Sequence, residues 1–107
     1  MELFERFINA AQKRNAASNE PMMNIFCIYE NETWRLVIFL RQKHRPDAYF
    51  ATDDKNIFVS PGAIDMAGVM ITPLLNDFNR LDSDIIRSIY REVSLPAEMM
   101  NIILSEI

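Results

Sequence analysis

Apolar residues fall at steps of three and four near the start of the chain. Leu3, Phe4, Phe7, Ile8 and Ala11 share one face over residues 2 to about 16, the spacing of an amphipathic helix. Glu2 and Glu5 stand in its first turn, Lys13 and Arg14 in its last, as the helix dipole favours. The stretch NAASNEP ends it, because Pro21 offers no amide hydrogen and disfavours the helical turn before it. The pattern then changes. MMNIFCIY (22–29) and WRLVIFLR (34–41) are dense in β-branched and aromatic residues and predict two strands. The link ENET has hairpin length. Both strands are apolar at nearly every position, the pattern of a sheet covered on both faces or of a central hairpin.

Residues 47–56 read as a polar loop whose Tyr49 and Phe50 tuck back onto the core. IFVS (57–60) and VMIT (69–72) read as short strands joined by PGAIDMAG. That link holds Gly62 and Gly68, the two glycines of the chain, and predicts a backbone geometry that other residues resist. A helix follows over about 83–93, with Asp82 or Ser83 as its cap. Ile85, Ile86, Ile89, Tyr90 and Val93 form its apolar face. A third helix follows Pro96, with Ser94 as its cap and Met99, Met100, Ile103 and Ile107 as its stripe. Short links between strands, with helices at the chain ends, predict an α+β fold: an antiparallel sheet of four or five strands with two to three packed helices. A length of 107 residues suits one domain. The helix that opens so soon after Met1 suggests a domain cut from a longer protein.

The totals narrow the class. Half of the residues are apolar and the net charge is −4, a globular composition that argues against general nucleic-acid binding. RLVIFLR is too short to cross a bilayer, and the N-terminus lacks the apolar core of a signal peptide. A cytoplasmic protein is expected. Cys27 is the one cysteine, so it forms no internal disulfide. In the run IFCIY it reads as a buried small hydrophobe.

Candidate chemistry is sparse. His44 is the one histidine, and a triad needs a base, a nucleophile and an orienting carboxylate. Zinc needs three or four ligands, so no metal site is expected. Two glycines exclude a glycine-rich phosphate cradle. Asp53 and Asp54 read as a solvated turn, and Asp65 as a carboxylate that binds backbone amides of its own link or, alternatively, a ligand. The basic stretch FLRQKHRP stands out. On a continuing strand Arg41, Lys43 and Arg45 would share one face, with Gln42 and His44 on the other. Such a cluster is either a solvated strand end paired with acids such as Asp47 or a contact for an anionic ligand.

The segment NIFCIYENETWRLVIFLRQKHRP followed by VSPGAIDMAGVMIT resembles the C-terminal half of the ATP adenylyltransferases, the diadenosine tetraphosphate phosphorylases. These are relatives of the galactose-1-phosphate uridylyltransferases and GDP-hexose phosphorylases in the histidine-triad-like superfamily. An uncharacterised bacterial branch of that superfamily has the closer wording. Asn24 and Ile25 match the start of the family's hairpin, and Trp34, Leu36 and Val37 its returning strand. Arg41 matches the strand-end arginine, Ser60 the following serine, and Ala67 and Gly68 the later Ala-Gly. Leu40 stands where the family has proline, Gly62 where it has asparagine and Asp65 where it has glycine. The family's His-x-His-x-His or His-x-His-x-Gln motif is absent.

The resemblance implies a histidine-triad-like fold and a non-catalytic C-terminal domain. In the resembling enzymes the catalytic histidine belongs to the N-terminal half. It implies no cofactor and no catalytic residue here. It gives a phosphate or ligand role to Arg41, Lys43, His44 and Ser60. The expected partners are the N-terminal catalytic half, a nucleotide and, in isolation, a second copy. Trp34, Phe39, Phe50, Met99, Met100 and Ile103 are candidates for an apolar surface left exposed without that half. The rival reading is a structural or interaction domain that binds no nucleotide. A free-standing hydrolase using His44 lacks a second catalytic residue.

Overall fold

The structure, a computed structural model, describes residues 2–14 and 20–107. The elements are α1 (Glu2–Arg14), β1 (Met23–Glu30), β2 (Thr33–Leu40), α2 (Asp47–Phe50), α3 (Ala63–Met66), α4 (Leu75–Arg80), α5 (Ser83–Val93) and α6 (Ala97–Ser105). The expected helix tail at residues 15 and 16 lies outside the described residues. The fold is α+β, and the chain forms two compact units. One comprises Met1–Gln42 with Ser94–Ile107, and the other Lys43–Val93.

The first unit is built on the hairpin. β1 and β2 pair antiparallel from Met23↔Leu40 to Glu30↔Thr33. Asn31 (φ 52°) and Glu32 (φ 61°) make the two-residue turn. Left-handed backbone at both positions matches the twist of the strands. Met23, Ile38 and Leu40 pack against Phe7, Ala10 and Ala11 of α1 and Met100 and Ile103 of α6. Ala11 and Ile103 are fully buried. Arg14 pairs with Glu106 at 2.5 Å, tying the end of α1 to the residue after α6.

The helices cover only the base of the hairpin. Farther out, Ile28, Tyr29, Trp34 and Leu36 are exposed, and so is Cys27. This corrects two expectations. The sheet is not covered along its length, and Cys27 is not a core residue, because it lies beyond the helices on the face shared with Tyr29 and Leu36. Of the expected apolar surface, Trp34 (66% exposed) and Phe50 (64%) stand out, whereas Ile103 is core.

The sheet has two strands among the described residues, not four or five. Residues 57–60 and 69–72 form no strand. Their amides go elsewhere. Ile57 N donates to Ala48 O (3.0 Å) and Val59 N to Ile57 O (2.9 Å). Phe58 N donates to Asp77 Oδ2 (3.0 Å) and Ile71 N to Asp65 Oδ1 (2.9 Å). Carboxylates thus take donors that a ladder would use, and apolar content alone does not make a strand.

Ile57, Val59 and Ile89 form the core of the second unit, with Ala48, Met70, Leu81 and Ile85 around them. Asp82 Oδ1 accepts from Ile85 N (2.8 Å) and caps α5, as expected. Ser94 does not cap α6, whose N-cap is Pro96; Ser94 instead bridges Arg41. Gly68 has φ +112°, a region that disfavours a side chain. Gly62 is extended at φ −106°, ψ −160°, so only one of the two glycines is required by its backbone.

Candidate functional site

The basic stretch does not continue the strand. β2 ends at Leu40, Arg41 forms an isolated bridge with Ser94, and bends follow at Gln42, His44 and Arg45. Alternation therefore lapses, and the expected single face of Arg41, Lys43 and Arg45 is not formed by a strand. The physical reason lies in the backbone. Arg41 N donates to Met22 O (2.8 Å), the last backbone bond of the hairpin's base. Beyond it, Pro46 sets the N-cap of α2.

Each basic residue has its own surroundings. Arg41 belongs to the first unit and is 3% exposed; its Nη1 donates to Asn24 Oδ1 (2.7 Å). Lys43 belongs to the second unit. Its Nζ donates to Asp47 Oδ1 (2.8 Å) and Glu92 Oε2 (2.9 Å). Those bonds, Asp47's first, hold its ammonium above the usual lysine range. The same Glu92 oxygen accepts from Asp47 N (2.7 Å). His44 is exposed on a bend.

Arg45 and Ser60 come together. Arg45 Nε donates to Ser60 Oγ (3.1 Å), and its guanidinium lies 4.5 Å from the centre of the Tyr49 ring, a cation–π distance. Tyr49 meets Phe58 edge-to-face at 5.6 Å. A cavity of about 420 Å³ opens beside them, lined by Tyr49, Phe58, Ser60, Asp65, Ile71 and Pro73. Its size suits a small ligand. The lining thus offers a hydroxyl, two aromatic rings and the Asp65 carboxylate, with the planar Arg45 cation touching two lining residues, Ser60 and Tyr49; the cation and hydroxyl suit anionic oxygens and the rings a flat apolar group.

Asp65 forms one wall and shapes the loop. It is 6% exposed. Oδ2 accepts from Gly62 N (2.9 Å) and Oδ1 from Ile71 N (2.9 Å), so it binds one amide of its own link and one of the following VMIT. The Tyr90 hydroxyl donates to the Asp65 carbonyl. Burial, and then the Asp65 charge, push the Tyr90 phenol above its usual value.

Sequence reasoning placed Arg45 in the basic run but did not select it. Tyr49 lies in α2, but Arg45 stands on a bend before that helix, so no helical spacing marked the pair. Asp77 was missed. It is 2% exposed and supplies the acceptor for Phe58 N, yet nothing in LLNDFNRL marks it. Arg80, also missed, donates to the carbonyls of Asn56 (2.9 Å) and Asp54. It borders a second cavity of about 530 Å³ in the same unit. Lys55 and Arg80 line that cavity together with Asp84 and Glu92, so its charge is mixed and selects no ligand sign.

Among the described residues no group of three or more His, Cys, Asp or Glu could hold a metal ion. No described helix is long and apolar enough to cross a membrane. No family model matches the chain, and no curated protein and no solved structure is similar to it.

Proposed function

We propose that this chain is a non-catalytic domain that helps to bind the phosphate of a nucleotide or sugar nucleotide. It is the C-terminal half of a nucleotidyltransferase- or phosphorylase-like protein of histidine-triad-like fold, acting with an N-terminal catalytic half. The observation that carries this reading is Arg45, held on Ser60 and over Tyr49, two residues that line the aromatic-walled cavity. A guanidinium so held loses little further freedom when it receives a phosphate. His44 precedes it in sequence. Arg41 and Lys43 rank behind Arg45, because Arg41 is 3% exposed and the Lys43 charge is met by Asp47 and Glu92. The lone histidine leaves no second residue for nucleotidyl transfer, so catalysis falls to the other half.

Titration with ADP, ATP and a UDP-sugar, followed by NMR, tests the reading. Shifts centred on Tyr49, Phe58 and Ser60 are expected, and Arg45→Ala weakens binding by about tenfold or more, as the loss of a charge-assisted bond predicts. Unchanged spectra at millimolar ligand would sink it. The second reading, an interaction domain without nucleotide binding, is favoured by one observation, the exposed apolar hairpin. It predicts a silent titration.

A further inference from the structure

Among the described residues β1 has an open edge. Its one strand neighbour among the described residues is β2. A strand edge leaves N–H and C=O groups ready to pair with another chain, and proteins commonly block such edges with charge, proline or a bulge. β1 (MNIFCIYE) carries one charge, Glu30 at its far end, and no proline, and its register with β2 runs without a bulge. β2 differs in carrying Arg35 in its span.

The backbone also says which residues reach outward. In a hairpin with a two-residue turn, the pair flanking the turn is hydrogen-bonded, and the bonding alternates from there. That pair is Glu30↔Thr33. Tyr29, Cys27, Ile25 and Met23 therefore present their backbone groups to the open edge.

We infer that this edge takes a second copy of the chain, antiparallel about a twofold axis at Cys27, to give a four-stranded sheet in the order β2–β1–β1–β2. Antiparallel self-pairing needs outward residues opposite outward residues, and a centre at Cys27 meets that need. It sets Ile25 against Tyr29 of the other copy and Phe26 against Ile28. Asn24 meets Glu30, so no like charges face each other across the edge. On β1, beside the new pairing, Ile25, Ile28 and Tyr29 are 36–59% exposed, on the order of 250 Å² of apolar surface; the exposed residues of β2 lie one strand farther off and stay uncovered. A stable interface takes about 800 Å² per partner. With the paired backbone added, the contact is of the size of a reversible dimer whose population rises with concentration. The inference does not rest on the nucleotide reading, and its test is a different measurement.

Sedimentation equilibrium from micromolar to millimolar protein should show the mass rising from monomer toward twice that value. Cys27→Lys sets two ammonium groups against each other at the axis and should hold the mass at the monomer value. Cys27→Ser should leave association intact. Cys27 is exposed, so both variants should keep the wild-type circular dichroism. The wild-type chain gives a second readout. A short bismaleimide should join two Cys27 thiols, whose Cα atoms would lie about 5.5 Å apart. A monomer at every concentration, or a dimer that persists in a folded Cys27→Lys variant, overturns the inference. If that variant unfolds, the cross-link decides: a covalent dimer supports the twofold at Cys27, and its absence at concentrations where the mass has doubled rules it out.

Discussion

The two units solve the same problem by different means. In the first, the hairpin pairs its own backbone over eight residue pairs, and apolar side chains from α1 and α6 cover its base. In the second, no strand forms among the described residues. Side chains there bind backbone directly: Asp65 and Asp77 accept from amides, and Asn56 and Arg80 donate to carbonyls. A buried backbone group must find a partner in either case. The hairpin obtains partners by regular repetition, which tolerates change at any one side chain. The second unit obtains them from a few named residues, and each such residue is harder to replace.

That contrast can be broken by mutation. The largest effect is expected in the apolar unit, where Ile103→Ala empties a fully buried site and should cost about 2–5 kcal/mol in denaturant unfolding. In the second unit the sensitive change is polar. Asp77→Ala leaves the Phe58 amide without its acceptor and should cost about 1–3 kcal/mol. Asp77→Asn, which keeps an oxygen, should lose less. If Asp77→Ala is neutral, the claim that side chains replace the ladder there is wrong. Trp34→Ala removes an exposed ring 4.9 Å from Tyr29 and should cost under about 1 kcal/mol.

The smallest effects are in pH dependence, one in each unit. In the first unit, the hydrogen bond from Arg14 holds the Glu106 carboxyl below its usual range. A carboxyl lowered in the folded state adds stability above its ordinary value and loses it as pH falls through the lowered one. Glu106→Gln should therefore flatten the acid side of a melting-temperature profile. In the second unit, Lys43 is raised. Its contribution is present below the ordinary lysine value and disappears as pH rises through the raised one. Lys43→Met should flatten the alkaline side. A profile left unchanged on the named side in either variant would contradict the assigned partner.

Much of the first unit was legible. The period of apolar residues located α1, and β-branched density located both strands to within a residue or so. Asp82 was readable as one of two candidate caps of α5, and Asp65 as a carboxylate that binds turn amides. The candidate site was only half legible. Ser60 was named, but Arg45, which meets it, was passed over for Arg41 and Lys43, since a strand rule was extended past the residue where the strand ends. Asp77 gave no signal, because a carboxylate that serves a backbone amide nineteen positions away looks the same in sequence as a solvated one.

The amino-acid sequence by itself determined the local elements: the helices at both ends and the hairpin with its short turn. Those follow from interactions within a few residues, where side-chain period and turn chemistry dominate. The tertiary structure decided the rest. It showed that IFVS and VMIT give amides to other partners, that Cys27 is exposed, and that Arg45 rather than Arg41 meets Ser60 and Tyr49. Each depends on which distant group meets a given donor or face, and no local pattern encodes that choice.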